Sequence, residues 1–218
     1  MLRKLFPSKK KAATFGLGLL ALRSMKDKRR GERRTTLINF ALLVLRTTIG
    51  GLMAGHGAQK LFGWFGGYGL QGTAQWLESL DLRPGRSWAM AAGTTEFGGG
   101  LLIVLGLLNP LGPVSVMSSM MMAARKVHWG KPIWVTEGGA ELPVTNMAIA
   151  TALMVAGPGK YSLDRLLGTS LPRWVAIPAL ATSISVIAYA TTISERAEQR
   201  EREQMIGETQ QSETGQTV

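Results

Sequence analysis

The sequence predicts an all-α membrane protein: an antiparallel four-helix transmembrane bundle plus a fifth, C-terminal transmembrane helix. Three observations carry this. Apolar stretches recur five times between residues 37 and 193. Charge is segregated, with 12 Lys/Arg against two acids in residues 1–35 and 10 against six in residues 36–193, whereas residues 194–218 carry three Arg against six Glu. Glu96 stands near the middle of WAMAAGTTEFGGGLLIVLGLL, where an unpaired carboxylate in a bilayer costs several kcal/mol. The chain has no Cys, which excludes disulfides, thiolate nucleophiles, zinc–thiolate sites and Fe–S ligation. Any redox role must borrow a cofactor or act through a partner.

The N-terminal 35 residues form a basic segment. A basic tail directly before an apolar span marks the cytoplasmic side of a membrane rather than a nucleic-acid partner. Residues 14–22, TFGLGLLAL, are too short to span and are expected to lie in the headgroup region as a short interfacial helix. Lys9–Lys11 and the basic run 26–30 would sit on anionic lipid; a disordered basic tail is the other reading.

The spans follow in order. Residues 37–61, 87–108 and 174–193 approach the ~20 residues that a ~30 Å hydrocarbon core requires. Residues 111–124 and 144–156 are shorter. With the N-terminus cytoplasmic, five passes place the link Asn109-Pro110 and residues 157–173 inside, and residues 62–86, 125–143 and the C-terminus outside. Between the first two spans, GYGLQG fits G-x-G-x-x-G formally, but no strand precedes it, so it reads as a turn leading into an amphipathic helix, TAQWLESL. The tail from residue 194 is expected to be a short charged helix that frays into a disordered end. The expected parts are therefore 1–35, a bundle over 36–168, an extra transmembrane helix at 169–193 and a charged tail at 194–218.

Arg46 and Glu96 each sit about ten residues into their spans, and sequential spans are antiparallel. They are expected to meet and neutralise one another. Such a pair serves either as a clasp that fixes helix register or as the polar lining of a ligand pocket. His56 and Lys60 lie one turn apart near the outer boundary and suit an anion or a quinone carbonyl; a snorkelling lysine and a backbone-bonded histidine are the structural alternative. His128 and Glu141, in the loop RKVHWGKPIWVTEGGAELP, either join them at the outer mouth or serve locally, Glu141 at a helix N-terminus. The spacing of these His and Glu residues matches no metal motif. The patterns Gly51-x-x-x-Gly55 and Gly50-x-x-x-Ala54 suit close helix packing, and Gly98–Gly100 leaves room beside Glu96. Met117 and Met120–Met122 read as packing filler rather than a copper site.

Taken together, LRTTIGGLMAGHGAQKLFGWFGGYGLQGTAQWLESL, AAGTTEFGGGLLIVLGLLNPLG and GGAELPVTNMAIATALMVAGPGKYSLDRLLG resemble the DoxX family of membrane proteins over about residues 45–168. The resemblance implies a four-helix bundle in the cell membrane. The family includes the membrane subunit of an archaeal thiosulfate:quinone oxidoreductase, and mycobacterial members are linked to oxidative-stress complexes. The expected function is a membrane subunit of a respiratory or redox assembly. Its pocket would take a quinone or a small sulfur oxyanion, with Glu96 and His56 as proton-handling groups and Arg46, Lys60, His128 and Glu141 facing the ligand. No cofactor is held intrinsically, a quinone being the only one implied. The partners expected are membrane lipid and the proteins of a membrane complex, not nucleic acid. The alternative is an accessory scaffold that docks a larger complex without a catalytic site, and a small-solute transporter is a third reading. The residues leave open whether the chain itself catalyses a reaction.

Overall fold

The computed structural model of the chain describes residues 9–215, of which residues 23–193 carry nearly all the described side chains. Every regular element among them is helical: α1 (Lys9–Phe62), α2 (Gly69–Glu78), α3 (Gly85–Leu105), α4 (Leu111–Lys126), α5 (Glu141–Ala156), α6 (Leu163–Leu167) and α7 (Ala176–Gly215). The chain divides into two units, 1–41 and 42–218. In the first unit the described side chains, 23–41, are exposed or nearly so. Residues 14–22, expected to be a short interfacial helix, lie within the continuous helix α1, and their side chains fall outside the described ones.

Within the second unit, glycines set the helix ends. Gly63, with φ 72°, stops α1. Gly106, with φ 61°, stops α3 in a Schellman turn: its N–H donates to the Ile103 carbonyl and the Leu107 N–H to that of Leu102, at 3.1 and 3.0 Å. Gly157 follows α5, and Ser162 caps α6, its hydroxyl accepting from the Arg165 N–H. The amphipathic helix expected at TAQWLESL falls in α2, which starts earlier than expected, at Gly69 within GYGLQG, and buries Thr73 and Leu77. The second, third and fourth apolar segments become α3, α4 and α5 with ends shifted by up to three residues. The fifth runs on without a break through the charged stretch to Gly215, so one helix takes the place of a span plus a separate tail.

Close contacts fix the register. A methyl group on Gly50 would stand 2.7 Å from the Gly100 carbonyl, and one on Gly57 would meet the backbone of Phe97 and Gly93. These pairings make α3 antiparallel to the second-unit part of α1. Gly99 faces Gly112 and Ser115, so α4 turns back along α3. The Asn146 amide of α5 reaches the sulfurs of Met53 and Met120, at 3.9 and 3.5 Å. Ser118 and Ser183 hydroxyls meet at 2.5 Å, and Arg125 bonds Glu195 at 3.0 Å, which sets α7 parallel to α4. Ile49, Met53, Ile103, Val116, Met120, Ala150 and Leu153 fill the core of the four helices, with Met117 packed against it, so Met117 and Met120 pack as expected of flexible fillers. Leu77, Leu82, Ala89 and Ala190 form a second cluster where α2 lies against α3 and α7.

Of the two small-residue patterns, only Gly50 and Ala54 face α3; nothing lies within 4 Å of a methyl placed on Gly51 or Gly55. This separates two substitutions of the same chemistry. Gly57→Ala gains about 1 kcal/mol of helix propensity but must push backbone away, at about 1–3 kcal/mol. It is expected to lower stability in detergent, whereas Gly55→Ala raises it or leaves it unchanged. Thermal unfolding of both variants checks this.

Among the described residues, three helical segments are long and apolar enough to cross a membrane: Arg23–Phe62, Gly85–Leu105 and Arg173–Ile193. α4 and α5 have 16 residues each, about 24 Å at ~1.5 Å per residue. These spans make the chain a membrane protein by length and composition.

Candidate functional site

Glu96 is 3% exposed. It faces inward because α3 turns its small face, Gly93, Gly99 and Gly100, to its neighbours. Its two carboxylate oxygens have separate partners: Lys60 Nζ, in an ion pair, binds Oε2, and the Ser119 hydroxyl donates to Oε1 at 2.6 Å. Three helices thus converge on one carboxylate. Lys60 lies in the last turn of α1, with its side chain 27% exposed, and the Thr73 hydroxyl donates to its carbonyl. Its flexible stem lets the ammonium leave the helix end and reach Glu96.

The expected Arg46–Glu96 pair does not form. Arg46 is buried, but its guanidinium donates to the carbonyls of Pro158, at 2.8 Å, and Tyr161. The physical reason is register. Arg46 lies level with Gly106, whereas Gly57 lies level with Phe97, so Arg46 and Glu96 are about 15 Å apart along the helix axes. Counting residues from the start of each span missed this offset. Arg46 instead ties α1 to the segment that follows α5. The same segment supplies Asp164, 3% exposed, whose carboxylate accepts from the N–H groups of Leu108 and Asn109 at 2.8 and 2.9 Å and from the Thr169 hydroxyl at 2.9 Å. The stretch GPGKYSLD is therefore a clamp on the turn between α3 and α4.

The other expected site residues separate into two places. His56 is exposed and its Nδ1 bonds Gln59 Oε1 at 3.1 Å. Together with Lys60, Tyr68, Gln75 and Trp76 they line a cavity of about 630 Å³ beneath the loop after α1. His128 and Glu141 instead order their own loop: His128 Nδ1 donates to the Gly138 carbonyl at 2.6 Å, and Glu141 accepts from the Val135 N–H at 2.9 Å. Glu141 also occupies the first turn of α5, where a negative charge suits the helix dipole. Neither His128 nor Glu141 lines either of the cavities that Lys60 shares.

A second cavity, of about 510 Å³, lies between α3, α4 and α7 and also reaches Lys60, Trp76 and Glu96. Ser115, Ser118 and Ser119 line it from α4, and Thr182 and Ser183 from α7. These serines were missed in the sequence, although 115, 118 and 119 follow helical spacing within an apolar segment.

Residues 41–129 match the family model DoxX. This segment is similar to the DoxX family. Lys60, Glu96 and Ser119 all fall inside it, as does His128; the clamp at 157–164, α5 and α7 lie beyond it. No curated protein and no solved structure matches the chain. The matched segment thus holds the buried ion pair, and elements outside it brace it and complete the wall of the second cavity.

Proposed function

We propose that this DoxX protein is a multi-pass subunit of a respiratory or redox assembly in the cell membrane, with its N-terminus cytoplasmic and its bundle binding a quinone or a small sulfur oxyanion. α1, α3, α4 and α5 would form the membrane bundle and α7 a fifth pass. The observation that carries the reading is the Lys60–Glu96–Ser119 cluster at the junction of two cavities. A buried ionisable group on a membrane helix marks a functional site by default, and here it has ligand-sized space on either side. Lys60 supplies positive charge to an anion or a carbonyl oxygen. Glu96 is its counter-ion and the proton carrier of the pocket. His56, open to the outer cavity, exchanges protons with water. Ser119 holds the carboxylate in place. Arg46, His128 and Glu141 have structural partners and take no part.

The test is Glu96→Gln in the purified full chain, titrated with a decyl-tailed benzoquinone and with thiosulfate. A change in affinity of about tenfold or more for either one, corresponding to ~1.4 kcal/mol, is expected: a loss for the quinone, and for thiosulfate a gain from the unpaired Lys60. Unchanged binding of both probes removes the reading. The scaffold alternative draws on α7, whose apolar window is only 11% buried. A stoichiometric partner retained in mild detergent by a chain that binds neither probe would favour it.

A further inference from the structure

The cavity between α3, α4 and α7 has a mixed lining. Its charged groups are Lys60, Glu96 and Lys126, which leave one net positive charge. Hydroxyls come from Thr95, Ser115, Ser118, Ser119, Thr182 and Ser183, around the level of Glu96. The rest is mostly apolar, with Leu77 and Leu80 on one side of that level and Leu111 and Val114 on the other. Exposed Ala91 of α3 and exposed Thr182 and Val186 of α7 line the mouth. Both helices are candidate membrane spans, so the mouth opens sideways to lipid.

α7 makes this space a cavity. Without it, α3 and α4 would present an open groove. α7 holds its place through Ser183 on Ser118, Glu195 on Arg125 and Ala190 in the cluster with Leu77, Leu82 and Ala89. It also lies wholly outside the DoxX match. We infer that α7 is the selectivity wall of a laterally opening site for a membrane amphiphile with an oxygen-rich head and an apolar tail. The head lies against the hydroxyls and Lys60, and the tail along the apolar part of the wall. The chemistry is shared by a fatty acid, with its carboxylate head, and by a prenylated or alkylated quinone. An inorganic oxyanion does not suit it, because most of the wall would leave such an ion without hydrogen bonds. The inference rests on the proposed function only for the charged groups around Lys60.

Trp88 lines this cavity and not the outer one, so it is the reporter. The full chain, with its other tryptophans replaced by Phe, is placed in lipid nanodiscs. It is titrated with 9,10-dibromostearate and with a decyl-tailed benzoquinone, both of which quench tryptophan. Saturable quenching is expected. Ser183→Phe, which fills the cavity, should weaken it about tenfold. Ser185→Phe, on the exposed side of the same helix, should leave it unchanged, and Ser183→Ala tests the hydroxyl without added bulk. Equal affinities in the parent, Ser183→Phe and Ser185→Phe chains would overturn the inference even if the quinone binds, leaving the redox reading standing. Saturable binding of the fatty acid alone, weakened by Ser183→Phe, would support the inference while removing the quinone from the proposed function. No saturable quenching by either probe overturns the inference.

Discussion

Lys60→Met is expected to destabilise the protein by about 3–5 kcal/mol, the cost of stripping one partner from a buried ion pair. Glu96, 3% exposed, would keep only the Ser119 hydroxyl. Glu96→Gln should cost less. Its amide can still accept from one neighbour, and the Lys60 side chain, 27% exposed, can turn toward the cavity it shares with His56. The double variant Lys60→Met/Glu96→Gln should therefore be more stable than Lys60→Met alone, because no uncompensated charge stays inside. Unfolding in detergent gives all four corners of the cycle. A double variant that loses the sum of the two single losses would show that the ion pair carries no coupling.

Arg46→Met is expected to lower stability by about 2–4 kcal/mol and to leave ligand affinity unchanged. The guanidinium's bonds to the Pro158 and Tyr161 carbonyls are charge-assisted, worth roughly 1.5–3 kcal/mol each. Against that, the side chain is itself expensive to bury, and its Nε has no partner. The net loss is therefore less than two full bonds. Denaturation in detergent reads the first part, and the quinone and thiosulfate titrations read the second. A variant with normal stability and impaired binding would return Arg46 to the ligand site.

Much of the helix pattern was legible because apolar runs mark the helix bodies. The glycines that end them, Gly63, Gly106 and Gly157, were not read as such, and the second span was carried past Gly106 to residue 108. Glu96 could be singled out because a carboxylate in an apolar run needs a partner. Which partner it takes is a matter of register, and register depends on where two helix faces come closest. Gly50 and Gly57 set that against Gly100 and Phe97, and nothing in the spacing of one helix reveals the offset. Lys60 was placed at the right end of α1, but its reach to Glu96 depends on a long side chain leaving that end. Of the two readings of His128 and Glu141, the local one describes their contacts: their hydrogen bonds close a turn, and Glu141 sits in the first turn of α5. Ser119 was overlooked because serines in a methionine-rich helix carry little signal until the neighbour across the interface is known. The role of GPGKYSLD as a clamp was hidden for a similar reason, its contacts being more than 50 residues away in sequence.

The clamp has a consequence for biosynthesis. When the ribosome has delivered α3 and α4, Asp164 has not yet been made, and the amides of Leu108 and Asn109 have no carboxylate to bind. Arg46 waits still longer, its acceptors arriving more than 110 residues after it. The hairpin must therefore be tolerated by the insertion machinery in an unfinished form, and the nascent chain becomes locked only when its later portion folds back onto the earlier one.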